Sequence, residues 1–545
     1  MHEPIPSVAA EARGLGARAG PSGNELRTAE ICAELSRLSQ AFAENVVAAT
    51  ADFTMHIADA DALAGMSEKE RARARRRAQA CGLEGFVLGL DAASYRAGVS
   101  CLDDRALRKA MYEAYSTRAS DRGPRAGRFD NTSILSGMLE LRYELARLLG
   151  FKNYAELALE DGVIPDPDRA ERYLLSRHRE TRARAQAELD RLWAFAKARG
   201  VPRGFSPWDL AYYAALLERA ELEWPEELTS YFALDELVPG VLQLGAELSG
   251  ATLERAPEEM EKAGERRSFR LRDRDGKHLG TLELDVYGPE DGLGEARVRV
   301  LAENRDESPG VLVECAFERP ESGGPTLLGP EELVTLFRSV GSALFLLATR
   351  ALEQPCGSRQ LSHGAEVCAD VAGCFFAQFI GDFGTLSSFA RHHSTGQRVP
   401  EALFEKLVRK LAFLPNLRAS QALDLTLFDL RVHRDHVPMD KATQLRVQVL
   451  DTFGQVRREQ SVLPPSYWTR FANTATPIFL HGRAARLWEL DWAEEVGTAL
   501  YSDFRASGYS REAAGRLRET LWAPGAGSAS ERLIAALGRA ELPGR

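Results

Sequence analysis

The 545-residue chain reads as a mainly α-helical protein interrupted once by a small antiparallel sheet. Three observations predict this. Apolar residues recur at helical spacing from Asn24 to about Gly250, the period changes to two between Arg267 and Arg319, and helical spacing returns after Pro330 and runs to the C-terminus.

Taken in order, residues 1–23 lack an apolar run, and their Ala, Gly, Pro and Ser content predicts a mobile tail. A helical lobe follows over 24–260. Its stripes include Leu35, Leu38, Phe42, Val46 and Val47, then Leu139, Leu141, Leu145, Leu148 and Leu149, with Gly150 as a C-cap. The region 261–545 opens with alternation at Ser268-Phe269-Arg270-Leu271-Arg272, an Asp275-Gly276 turn, and strands at Leu279 to Val286, Ala296 to Leu301 and Val311 to Phe317. This predicts a sheet within 267–319. Pro330 beside Glu331 and Glu332 marks a helix start, giving helices over 330–352 and 362–380.

Composition narrows the function classes. The seven cysteines (32, 81, 101, 315, 356, 368 and 374) are odd in number, scattered and free of C-x-x-C spacing, which excludes a disulfide framework and a zinc knuckle and suits reduced thiols in a cytoplasm. No apolar h-region precedes Gly23, and no later run approaches the roughly 18 apolar residues of a membrane span. A net charge of −10 disfavours nucleic acid, and the run Arg71-Ala72-Arg73-Ala74-Arg75-Arg76-Arg77 reads as a solvated helix face. The expectation is a cytoplasmic protein without nucleic-acid or membrane partners.

The two helices after the sheet carry unusual polar groups. Leu333, Phe337, Val340, Leu344 and Leu347 form one stripe, while Arg338 and Ser342 stand four apart on another face between Val334 and Phe345. On the next helix Glu366 and Asp370 lie among Val367, Val371, Phe375 and Phe376. An isolated charge in low dielectric is costly, so Arg338 is expected to pair with Asp370, or failing that with Glu366.

Several blocks then point to a family. They are Arg105-Ala106-Leu107-Arg108 with Met111 to Asp121, Leu149 to Glu156, Pro207 to Tyr213, Thr395-Gly396, and Leu427-Phe428-Asp429-Leu430-Arg431-Val432-His433. In this order they resemble the thimet oligopeptidase and oligopeptidase A family of zinc metallopeptidases, from about residue 30 almost to the end. The resemblance implies a two-lobed helical zincin-like fold whose sheet lines a central channel, where zinc cuts short peptides. It also implies that this chain begins inside the family's N-terminal region.

The family's His-Glu-x-x-His positions fall on Arg338, Ser339 and Ser342. Arginine cannot ligate, a neutral serine ligates zinc poorly, and Ser339 is no general base at neutral pH. The third ligand aligns with Asp370 and a supporting glutamate with Ala377. Further on, Asn473 and Pro477 stand where histidines are expected, Arg483, Leu487 and Leu490 where tyrosines are expected, and the glycine-rich turn reads Gly292-Leu293-Gly294-Glu295-Ala296.

The resulting expectation is an inactive homologue, a pseudopeptidase with no catalytic residues, no metal and no cofactor. It would bind a peptide or protein partner in the channel through Arg338, Asp370, Glu366, His363, Asn473, His481, Arg483 and Trp488, with an extended peptide adding to the sheet edge at 267–319. Two alternatives remain open. One is different chemistry using Cys368, Cys374, His363, Ser339, His392 or His393; the other is an active metallopeptidase holding zinc through His363, Glu366 and Asp370.

Overall fold

The computed structural model describes residues 24–201, 205–222, 225–256, 266–288, 296–301, 309–320, 323–349, 363–438, 442–463, 470–480, 482–522 and 529–538. The predicted tail, the glycine-rich turn through Glu295, Cys356 and His481 lie outside them.

The chain begins with α1 (Asn24–Ala51), β1 (Met55–Ile57), α2 (Glu68–Ala80), β2 (Phe86–Leu88), α3 (Ala92–Cys101) and α4 (Arg105–Ser116). It continues through α5 (Thr132–Leu148), α6 (Tyr154–Leu159), α7 (Pro167–Ala198), α8 (Pro207–Leu222) and α9 (Leu234–Ser249). Five strands follow: β3 (Thr252–Arg255), β4 (Arg266–Arg272), β5 (His278–Asp285), β6 (Arg297–Leu301) and β7 (Gly310–Glu314). Then come α10 (Pro330–Ala348), α11 (His363–Ala377), α12 (Phe383–Phe389), α13 (Glu401–Leu411), α14 (Pro415–Arg434) and α15 (Ala442–Glu459). The last are α16 (Thr476–Phe479), α17 (Glu489–Ala506), α18 (Arg511–Thr520) and α19 (Ala529–Leu537).

Local chemistry accounts for the boundaries. At α2, Ser67 accepts from the Glu70 amide while the Glu70 carboxylate accepts from the Ser67 amide at 2.8 Å, so two orphan donors are satisfied together. Gly150 has φ +91°, which a left-handed C-terminal position requires. Pro330 starts α10, and the Gly329 amide donates to Glu332 at 2.7 Å.

The main sheet runs β3-β4-β5-β7-β6. Three pairs are antiparallel, but β5 and β7 are parallel, which corrects the expected all-antiparallel sheet. The reason is topological: β7 inserts between β5 and β6, and so runs alongside β5. The sheet also begins earlier than the predicted 267–319, because β3 is four residues long and mostly exposed, too short to show alternation. A second pair, β1 with β2, escaped the sequence reading for the same reason.

The chain forms two compact units that interleave: Met1–Leu159, Asp166–Glu223 and Leu414–Trp488 make the first, and Glu160–Pro165, Trp224–Phe413 and Glu489–Arg545 the second. This differs from a contiguous boundary near residue 260. Long-range contacts return α14 to the first unit. The Glu188 carboxylate on α7 accepts from the Leu417 amide at 2.8 Å, and Glu171 pairs with Arg431 at 2.7 Å and Arg434 at 2.5 Å.

One segment among the described residues, His363–Gly381, is long and apolar enough to cross a membrane, contrary to the sequence reading. Its window is 61% buried within the fold, as befits a core helix packed against α10 and α17.

Candidate functional site

Arg338, Ser339, Ser342 and Asp370 lie in the second unit, where α10, α11 and α17 pack together. Glycines bring the backbones close. A Cβ on Gly373 would lie 2.4 Å from Ser342 Oγ and 2.6 Å from the Arg338 carbonyl oxygen; one on Gly497 would lie 2.7 Å from Cys374 Cβ. Helices this near leave side chains between them little room.

Ser342 is buried, and its hydroxyl donates to the Ala369 carbonyl at 2.8 Å. Ser339 is also buried. Arg338 keeps 39% of its side chain exposed, and its Nη2 contacts Glu494 Oε2 on α17 at 3.5 Å. The expected partner, Asp370, acts instead as a nearby charge. Burial works against the guanidinium, but Cys374, Glu494 and Asp370 outweigh it and raise the Arg338 pKa above its ordinary value. The pairing expectation failed because it compared neighbouring helices only, whereas Glu494 is 156 residues away in sequence. Arg338 Nε is buried without a hydrogen-bond partner among the described residues.

His363, expected near the old site, is tied down. Its Nε2 lies 2.6 Å from Oε1 of Glu489, which is fully buried at the start of α17. Among the described residues no three His, Cys, Asp or Glu side chains group as a metal would need, so His363, Glu366 and Asp370 do not form the alternative ligand set. The donor chemistry of Arg338 and Ser342 does not fit zinc: Arg338 offers no lone pair and the Ser342 hydroxyl is committed to Ala369.

Asn473, Arg483 and Trp488 belong to the first unit. Asn473 is a structural bridge whose Nδ2 donates to the Ala119 carbonyl at 3.0 Å and to Thr132 Oγ1 at 3.1 Å. Trp488 is fully buried and meets Tyr173 edge-on at 6.0 Å, so it is core and not a cleft wall. Arg483 is half-buried on the loop before α17. For the different-chemistry reading, Cys368 is buried and its thiol is pushed up to about 12 by burial, and Cys374 is buried on the same helix six residues later. His392 and His393 stack on each other at 5.3 Å, with His392 Nδ1 accepting from the Ser394 amide at 3.3 Å.

Sequence reasoning missed what the family-like blocks do. Asp429 is fully buried and accepts from the amides of Ala485 at 2.9 Å and Leu487 at 3.0 Å, while His433 Nε2 meets Arg142 Nη1 at 3.0 Å. Asp209 is likewise buried and holds Arg105 at 2.8 Å and Arg108 at 3.3 Å. A fully buried carboxylate with two or more charged or amide donors is a scaffold fastener. The clue available in sequence was Asp429 four residues before His433 on an apolar helix.

Comparison with known proteins places the family. The profile of Peptidase family M3 matches residues 100–542. Oligopeptidase A of Salmonella typhimurium is 31% identical over 503 residues, covering 90% of this chain and 72% of that one; oligopeptidase A of Escherichia coli is 31% identical over 500 residues with the same coverage. The fold is similar to a solved structure of PZ peptidase A with an inhibitor, at TM-score 0.57 and 12% identity over 99% of this chain and 76% of that one. These matches overturn the expectation of no cofactor. Zinc is the cofactor expected of such a family, even though Arg338 and Ser342 do not fit it.

Proposed function

Because the chain belongs to Peptidase family M3, we propose that it is an oligopeptidase A-type homologue that binds short peptides without hydrolysing them. The reading extends to a cytoplasmic role in which the bound peptide is free or a segment of a protein partner. The observation that carries it is the state of the former catalytic helix. Ser342 spends its hydroxyl on Ala369, Ser339 is buried and no base, and Arg338 meets Glu494 at 3.5 Å. Losing a base or an oxyanion donor alone costs roughly 3–4 kcal/mol of transition-state stabilisation, and here several such groups are replaced together.

Arg338 supplies a reason for binding. A guanidinium with donors to spare, kept positively charged, suits a peptide carboxylate. The test is calorimetric titration with short peptides bearing a free or an amidated C-terminus, beside cleavage assays on the same peptides with zinc supplied. Binding that favours the free carboxylate, with intact peptide recovered, supports the proposal. Zinc-dependent cleavage overturns it.

A further inference from the structure

The main sheet has a second edge, remote in sequence from the catalytic-like helices. Strand β3 ends the sheet opposite β6 and lies beside α9, and between them runs a groove of about 880 Å³. Val238, Leu242, Leu253 and Phe269 provide its apolar lining.

The strand's hydrogen bonds fix which groups face outward. Ala256 donates to the Ser268 carbonyl, so alternation makes Glu254 with Arg270 and Thr252 with Arg272 the bonded pairs. The amides and carbonyls of Leu253 and Arg255 therefore point away from β4. Both residues also line the groove. Arg267 is bonded to Asp235, whereas Arg255 is exposed and makes no ion pair among the described residues. One short stretch thus offers main-chain donors and acceptors, an apolar trough and a cation that makes no ion pair among the described residues.

We propose that this edge binds an extended peptide, which adds as a strand along β3, sets an apolar side chain over the trough opposite Leu253, and places a carboxylate opposite Arg255. Directly opposed residues of paired strands share a face, so the two side chains fall two residues apart in the peptide. The peptide must be extended, because only that backbone meets groups spaced as in a strand. This site is independent of Arg338.

The probe is a capped heptapeptide of Thr and Val carrying Leu and Glu two residues apart, with a second peptide in which Lys replaces Glu. Fluorescence anisotropy on the full chain is expected to show preference for the Glu peptide. Arg255→Glu is expected to invert that preference, each arm moving up to about tenfold. Leu253→Pro removes an outward amide that bonds to no other described residue; it is expected to weaken both peptides while the melting temperature holds. Equal binding of the two peptides, or affinities unmoved by Arg255→Glu, overturns the proposal. So does self-association of the chain lost with Leu253→Pro, or binding lost with Arg338→Gln, which assigns the peptide to the other site.

Discussion

Substituting Gly373 by alanine tests whether α10 and α11 are as close as the geometry requires. The new methyl would stand 2.4 Å from Ser342 Oγ, 2.6 Å from the Arg338 carbonyl oxygen and 3.1 Å from Arg338 Cγ. A side-chain oxygen can rotate away; a helix carbonyl cannot. Overpacking of this kind costs roughly 1–3 kcal/mol, and displacing Ser342 from the Ala369 carbonyl adds about 1 kcal/mol. Alanine gains about 1 kcal/mol over glycine inside a helix, so the expected net destabilisation is about 1–3 kcal/mol, read as a lowered urea midpoint with unchanged slope. Adding Ser342→Ala to Gly373→Ala should recover only the smaller part, because the Arg338 carbonyl remains in the way. A Gly373→Ala protein within about 0.5 kcal/mol of the parent, the scatter of ordinary surface changes, would refute the close approach.

Other outcomes follow from the same reasoning. Glu494→Gln should change stability by less than about 1 kcal/mol, since both partners of the 3.5 Å pair are well exposed; urea midpoints measure this. Asp209→Asn should cost about 3–5 kcal/mol, because the buried Arg108 guanidinium loses its counter-charge, and a lowered melting temperature reports it. Burial lowers His178 to about 4 from its ordinary 6.5, so the stability it contributes is full above pH 6.5 and is lost as pH falls through 4. His178→Gln should remove an acid loss on the order of 3 kcal/mol. Burial raises Asp424 to about 6, so its contribution is full below the ordinary carboxylate pKa and lost as pH rises through 6; Asp424→Asn should flatten urea midpoints between pH 4 and 6.

Much of the local structure was legible in the sequence, because its causes are local. Gly150 at a left-handed position, Pro330 at a helix start and the Asp275-Gly276 turn each declare themselves within a few residues. What stayed hidden depends on contacts far apart in the chain. The β5 and β7 strands become parallel only because a later strand inserts, Arg338 finds Glu494 rather than Asp370, and His363 finds Glu489 126 residues away. Asn473 looked like a cleft residue because it falls where the family has a histidine, and Trp488 because it lies in the same stretch, yet burial gives one a bridging role and the other a place in the core.

The most direct measurement is a single-turnover cleavage assay: excess protein, zinc supplied, and a short internally quenched peptide whose binding has been verified by anisotropy. The account predicts a bound peptide that stays intact, with no difference between zinc-supplied and chelator-treated protein. Cleavage that follows the bound fraction, stops with chelator and returns with zinc would contradict it.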